Sequence, residues 1–448
     1  MNMEMKGILT QEEILRGKEC IETALGHGAS KVRVTLNKSL MDLVATLDGE
    51  VDRISHCLDR SLTLSVFVDG RYGTFSTNRM DAEALKGFTA RAVETARMLA
   101  PDRCRDLPMQ ERTEKNATGG TELGLFDHRY AEVDPADRIR RALGASLHGN
   151  VEGLLSEEGE YSDSVYDTLV MDSWGTFCRH METSFEYGVE VTVADHEGNR
   201  YSGFWWDSAP FLKDLHAEGC GLTAVKRARG QFSPVRAGSR RCRAVIDTEV
   251  ASRLVTPLLN ALGGSAIQQH NSFLEGALGK KMFSEGLTLT DGAREKGRNG
   301  SRLFDSEGVA TTNHTIIDRG VVREYFLNTY MAAKTGMAPT VEDITRPCIS
   351  PWPKEGLDRN DILALCGDGI LVTGFNGGNS NPVTGDFSYG VEGFLFEGGK
   401  IKHPVREMLM TGNLTTLWQN LLAAGQDCRP CMSRIIPTLA FENVDFNG

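Results

Sequence analysis

Four polar residues lie close together late in the chain: Asn379, Asn381, Asp386 and Ser388, with Thr384 between them. Two carboxamides, a carboxylate and hydroxyls on one short segment could line a cleft with hydrogen-bonding groups. Asp386 reads as a turn cap rather than as a general acid or base. The glycine-dense run Gly374-Phe375-Asn376-Gly377-Gly378-Asn379-Ser380-Asn381 leads into this group. Glycine loops can approach phosphates. No Lys-Ser/Thr follows as in a P-loop, so the run reads as a wide loop between strands.

Metal chemistry needs a different pattern. A zinc protease of the common type carries His-Glu-x-x-His on a helix, where the i, i+4 spacing puts both imidazoles on one face and the Glu polarises the bound water. The ten histidines here are 27, 56, 128, 148, 180, 196, 216, 270, 314 and 403, and the closest two are 16 residues apart. Neither a metal site nor a catalytic residue is therefore assigned. Cys428 and Cys431 form Cys-Arg-Pro-Cys. No second Cys or His pair completes a zinc site and no thioredoxin-like strand and helix surround the pair, so it reads as two thiols near a terminal strand. No nucleophile-elbow motif is present.

The formal charge is -12, from 49 Lys and Arg against 61 Asp and Glu. That field disfavours DNA or an anionic membrane as the main partner. One run opposes it: Lys226, Arg227, Arg229, Arg236, Arg240, Arg241 and Arg243 fall in a stretch without acids. It straddles a helix end and a linker, and reads as solvated or as facing an acidic protein surface. No apolar run spans a bilayer and no secretory signal is visible, so a cytoplasmic protein is expected. The 48 glycines point to turns and hairpins.

The elements that must position these residues follow from periodicity. A helix over 11–25 precedes strands at 31–37, 41–47 and 61–68, where Leu62, Leu64, Val66 and Val68 alternate with polar residues. Asp69-Gly70 turns the last into 72–76. Asp81 caps a helix with Leu85, Phe88, Ala92, Ala96 and Leu99 on one face. After a polar connection over 101–125, Asp134 and Pro135 start a helix with a stripe of Ile139, Leu143 and Leu147. Strands at 161–171, 176–181 and 186–195 and a helix over 212–229 follow. The stretch 230–239 is the best domain boundary. Beyond it come a strand at 243–247, a helix over 249–262, and short strands at 312–317, 321–327, 369–373, 390–396 and 400–405. A helical stripe from Leu414 to Leu422 and a strand at 437–441 end the chain. The expected class is α+β: an N-terminal sheet-and-helix region over 1–235 (itself divisible into 1–105 and 126–235) and a strand-rich C-terminal domain over 236–448. No convincing sequence repeat relates the parts.

The stretch from Asn381 to Leu414, with Asp386-Phe387-Ser388-Tyr389-Gly390 and Glu397-Gly398-Gly399, resembles the C-terminal signature of the TldD/PmbA family, the "modulator of DNA gyrase" proteins. Asp48-Gly49-Glu50 through Gly73-Thr74-Phe75-Ser76, Ser272-Phe273-Leu274 with Leu278-Gly279-Lys280, and Phe304 to Val309 with Gly320-Val321-Val322 and Tyr330 agree. In the zinc-bearing TldD branch, the helix after the interdomain strand carries His-Glu-x-x-x-His or His-Glu-x-x-His. The corresponding segment here is Val255-Thr256-Pro257-Leu258-Leu259-Asn260-Ala261-Leu262-Gly263-Gly264, without His or Glu. That is similar to the PmbA, or TldE, branch, as is the spacing from Cys431 to Pro437.

The resemblance implies a metal-free subunit of a cytoplasmic heterodimeric metallopeptidase, with zinc in a TldD-like partner and none in this chain. It implies unfolded or extended peptides as substrates, microcin precursors and antitoxins among them. The alternative is a homodimeric peptide-binding or regulatory protein without a protease role, gyrase modulation being a matter of name only. Either way the partner is protein, with a homodimer as the state expected in isolation, and not nucleic acid or membrane.

Overall fold

The computed structural model describes residues 7–147 and 151–448; His148 lies outside the described residues. The chain divides into two compact units, one of Met1–Ala228 with Arg294–Thr311, the other of Arg229–Ala293 with Thr312–Gly448. The class is α+β.

The first unit contains α1 (Gln11–Gly26), β1 (Lys31–Leu47), β2 (Glu50–Val68), β3 (Arg71–Thr77), α2 (Ala82–Arg97), α3 (Pro135–Gly144), β4 (Leu154–Asp172), β5 (Phe177–Ala194), β6 (Arg200–Ala209) and α4 (Cys220–Arg229). Its strands form one sheet ordered β3-β2-β1-β4-β5-β6, antiparallel throughout. The order reads outward symmetrically from the β1–β4 pair. Each half is a helix, a three-stranded meander and a helix, so the topology repeats where the sequence shows no repeat. Alternation buries Val32, Val34, Leu36, Leu62, Leu64 and Val66 against Ile14, Ile21, Leu85, Ala92 and Val93 of α1 and α2. Two hairpins are longer than periodicity suggested. The breaks expected near 38–40 and 182–185 are absent, because residues that read as polar interruptions stay in register across β1–β2 and β4–β5.

Helix α3 departs from its expected stripe. Ile139 and Leu143 are only half-buried, and the fully buried positions are Arg138 and Ala142. Arg138 donates from Nε and Nη2 to the two oxygens of Asp163 at 2.8 and 2.9 Å, and Nη2 lies 3.1 Å from Asp42. Tyr161 donates to the same Asp163 at 3.0 Å. A second such pair joins Arg179 to Asp167 at 2.7 and 2.9 Å, with the backbone N–H groups of Ile8 and Leu9 completing the carboxylate's partners. Buried charges persist only when paired and hydrogen-bonded in this way.

Residues 294–311 were expected within the C-terminal domain, yet cluster with the first unit. Leu303 and Phe304 pack with Ala117, Leu123, Leu125, Val170 and Cys178, and Arg294 donates to Glu114 at 2.8 Å.

The second unit contains β7 (Arg240–Ile246), α5 (Thr248–Leu262), α6 (Gly264–Gln268), β8 (Leu289–Asp291), β9 (His314–Asp318), β10 (Val321–Val322), α7 (Thr329–Thr335), β11 (Pro347–Ile349), α8 (Arg359–Cys366), β12 (Gly369–Ser380), β13 (Asp386–Glu397), β14 (Lys400–Asn413), α9 (Leu414–Gln419), β15 (Leu421–Ala424) and β16 (Leu439–Asn447). A six-stranded sheet runs β14-β13-β12-β7-β16-β15, with a further β14–β16 pairing that curls it back on itself. Only β7–β12 is parallel. A smaller sheet runs β10-β9-β8-β11. Leu254, Leu258 and Leu262 of α5 meet Trp418, Phe441, Phe446 and Met410 in the main core.

Two expectations fail here. The glycine-dense run is part of β12, not a wide loop. It pairs with β13 through register shifts at 372–374 and 375–378. Gly378 has φ +90°, and a Cβ there would sit 2.1 Å from the Ser388 carbonyl oxygen, so only glycine makes this irregular strand. The terminal helix stops at Gln419, and Leu421 and Leu422 belong to β15, drawn into the sheet by β16. Among the described residues, no helix is long and apolar enough to cross a membrane.

Two outcomes follow. Replacing Asp163 with Ala leaves the Arg138 guanidinium buried without its main partner, and is expected to cost about 3–5 kcal/mol, read as a fall in the urea midpoint. At the start of α1, Glu13 is nearly buried, which opposes its ionisation. The Thr10 N–H at 2.8 Å and Lys38 at 2.9 Å outweigh that burial and hold its carboxyl below the usual range. A lowered folded-state value stabilises above the unfolded value of roughly 4.3 and is lost as pH falls through the folded one. Glu13→Gln should therefore cost about 1–2 kcal/mol at neutral pH, and the gap to the parent should shrink in melts below about pH 4.

Candidate functional site

Helix α5 is the element that the sequence resemblance marks as the expected place of a histidine pair, and it spans Thr248–Leu262. Asp247 caps it, accepting from the Glu249 N–H at 3.0 Å, and pairs with Arg359 at 2.7 Å. Ala251, Leu254, Val255, Leu258, Leu259 and Leu262 face the core. At helical spacing on the other side stand Glu249, Arg253, Thr256 and Asn260, all partly or fully exposed. Arg429 lies 3.2 Å from both oxygens of Glu249. Arg253 donates to the Gly378 carbonyl at 3.0 Å, its guanidinium 5.2 Å from the centre of the Tyr389 ring. Arg434 donates to the Thr256 hydroxyl at 2.7 Å, which itself donates to Ser252 O.

This donor set does not fit zinc. It offers a hydroxyl, a carboxamide and guanidinium groups where a dication needs imidazole, thiolate or carboxylate. Its one carboxylate, Glu249, is engaged by Arg429, and the cations Arg253, Arg429 and Arg434 border the face. The sequence reading missed this constellation, although the 249-253-256-260 spacing was a legible signal opposite the apolar stripe.

The four cleft candidates converge. Asn379, Asn381, Asp386 and Ser388 share one open depression of about 620 Å3 with Asn271 and Phe387. Asn379 and Ser388 are directly opposite in the β12–β13 register and exposed. The other two serve the turn between those strands. Asn381 Oδ1 accepts from the Val383 and Thr384 N–H groups at 2.9 and 3.3 Å. Asp386 accepts from Asn413 Nδ2 at 3.0 Å and from the Thr384 hydroxyl at 2.7 Å. Those bonds, Asn413 first, keep its carboxyl below the usual range, the state of a turn anchor rather than of a proton donor.

The histidines disperse. His56 pairs with Asp42, His180 with Glu182, His270 with Glu275 and His314 with Glu324. At His314 the hydrogen bond to Glu324 raises the imidazole pKa, while Nδ1 faces the Thr312 carbonyl at 2.8 Å. Among the described residues, no group of three or more His, Cys, Asp or Glu is arranged to hold a metal ion. Cys428 and Cys431 are thiols. Burial pushes the Cys428 thiol up to about 12 against a hydrogen bond with Thr248, and Asp427 adds to the rise.

Three of the seven residues of the basic run are answered by this chain's own acids. In the second unit Arg241 pairs with Asp445 at 2.6 Å, Arg243 with Glu442 at 3.3 Å and Arg236 with Glu407 at 3.6 Å. Arg240, Arg241 and Arg243 lie on β7 rather than in a linker, opposite β16.

Three family models cover most of the chain: the PmbA/TldA metallopeptidase domain 1 over residues 34–100, the central domain over 129–232 and the C-terminal domain over 239–448. A crystal structure described as a candidate modulator of DNA gyrase, from Bacteroides thetaiotaomicron, is 36% identical, with a TM-score of 0.93 over 98% of this chain and 100% of that one. This chain belongs to the PmbA/TldD family. Metalloprotease PmbA of Escherichia coli O157:H7 is 27% identical over 98% of this chain and 99% of its own length. TldE from Thermococcus kodakarensis shares the fold at 20% identity, with a TM-score of 0.81 over 97% of this chain and 100% of that one.

The thiolate, not the thiol, reacts with alkylating reagents. At pH 8 iodoacetamide should modify Cys428 at least about a hundredfold more slowly in the native protein than in urea, as mapped by mass spectrometry.

Proposed function

We propose that this chain is the metal-free subunit of a TldD/TldE-type cytoplasmic metallopeptidase that acts on unfolded or extended peptides. The polar face of α5 carries this reading. In a family whose models are named for metallopeptidases, that face presents Arg253, Thr256 and Asn260, bordered by Arg429 and Arg434. Cations around a helix face repel a divalent metal and suit carboxylates or peptide carbonyls. The zinc and the water-activating residues then belong to a TldD-like partner. This chain's contribution is to bind and orient the peptide.

Extended peptides are held readily by strand addition, whose backbone bonds are largely indifferent to sequence. The depression at Asn379 of the irregular strand β12 and Ser388 of β13 offers amide and hydroxyl groups for that task.

Co-expression with a family member carrying His-Glu-x-x-x-His tests the assignment. The two chains should co-purify, zinc should match the partner in amount, and only the complex should cleave an unfolded peptide. This chain alone should hold substoichiometric zinc. A tightly bound equivalent of zinc on it, or peptide cleavage by it alone, would sink the proposal.

A further inference from the structure

Arginines meet helix α5 in two ways. Arg359 is answered by the Asp247 carboxylate at 2.7 Å and Arg429 by that of Glu249 at 3.2 Å. Arg253 and Arg434 have neutral partners instead, the Gly378 carbonyl at 3.0 Å and the Thr256 hydroxyl at 2.7 Å. Among the described residues, neither of these two forms an ion pair with a carboxylate. Asp343 faces Arg434 only at longer range. Both arginines are exposed.

A neutral acceptor fixes a guanidinium without cancelling its charge. Arg253 is held by the Gly378 carbonyl and by the ring of buried Tyr389, whose centre lies 5.2 Å away. Arg434 is held by a hydroxyl whose own proton goes to the Ser252 carbonyl at 2.9 Å. Thr256 follows Arg253 by three residues, so the helix sets the two anchoring points side by side on one face. Asn260, exposed one turn further on, adds a carboxamide. Each guanidinium has five N–H donors, and most of them stay free of the protein. Gly378 also directly precedes Asn379, which stands opposite Ser388 in the depression. The strand that anchors Arg253 therefore lines the surface already assigned to the peptide.

We propose that Arg253 and Arg434 hold a carboxylate of the bound peptide, supplied by an Asp or Glu side chain or by the C-terminus, so that this chain selects acidic peptides. The inference rests on the peptide-binding part of the function proposed above and names what the peptide must carry. The planar fork of a guanidinium matches the two oxygens of a carboxylate. Two such forks with no acid of their own leave a local positive charge that one carboxylate satisfies. The chain as a whole carries a net charge of -12, which repels a polyanion and favours a single carboxylate over a nucleic acid.

Fluorescence anisotropy on the full chain tests this without a partner subunit. The probes are labelled extended peptides of one length, with Glu or Gln at a central position and a free or amidated C-terminus. The Glu peptide with a free C-terminus should bind at least about tenfold more tightly than the amidated Gln peptide. A loss confined to the Gln change identifies the side chain as the source, and one confined to amidation identifies the C-terminus. Arg253→Gln and Arg434→Gln should each remove most of the difference. Arg319→Gln, at an exposed arginine that faces Glu285, should keep it. Arg253→Glu should reverse the preference towards an amidated peptide with Lys at the central position, a gain that damage to folding would not give. Equal binding of all four peptides, no binding of any, or a preference untouched by both Gln variants would overturn the proposal. The metallopeptidase reading would then still be judged by co-purification and cleavage with the zinc-bearing partner. An acidic preference without either of those would keep this inference and sink that reading.

Discussion

The first unit depends on the antiparallel ladder between β1 and β4, unbroken from Arg33↔Asp172 to Leu47↔Glu158. Two three-stranded meanders become one six-stranded sheet through this seam. The buried carboxylates Asp163 and Asp167 lie on the β4 side of it, and each is held by an arginine brought from another element. Such pairs contribute little net stability relative to an apolar substitute, but punish any arrangement that separates them. Of the two, the Arg138 pair ties α3 to the sheet and the Arg179 pair ties β5 to β4.

The second unit solves a different problem. One parallel pairing, β7 with β12, sits among antiparallel strands, and the chain returns β14 to β16 to close the sheet. Helix α5 packs its leucines onto this sheet and leaves a narrow polar face. That face is where family membership and local chemistry diverge. The scaffold is shared with relatives named as metalloproteases, while the side chains on the helix are guanidinium, hydroxyl and carboxamide. A scaffold does not carry an activity; the residues placed on it do.

Parts of this were legible early. Capping residues Asp81 and Asp134 mark helix starts at which each side chain accepts a backbone N–H. Period-two alternation finds the half-buried stretches of β2 and β5. It fails at strand ends, where an exposed edge such as residues 50–60 has no buried face to alternate against. It fails for glycine-rich β12, where backbone pairing rather than side-chain burial defines the strand. The stripe on α3 was misassigned because Arg138 is buried by a carboxylate that arrives from β4, a partner invisible to local periodicity. Of the candidate cleft, the grouping of Asn379, Asn381, Asp386 and Ser388 was readable from proximity along the chain. The arginines opposite α5 were not, being supplied from residues 429–434.

The sequence by itself determined the α+β class, the family scaffold and the lack of a local histidine pair, since these rest on residue types at short spacing. Only the tertiary structure decided that two halves repeat around β1 and β4, and that residues 294–311 belong with the first unit. It also decided that the exposed face of α5 is ringed with positive charge. Each of these is a meeting of segments far apart in the chain. Short-range propensity is blind to such meetings, because their free energy comes from burial and pairing that exist only once the chain has folded.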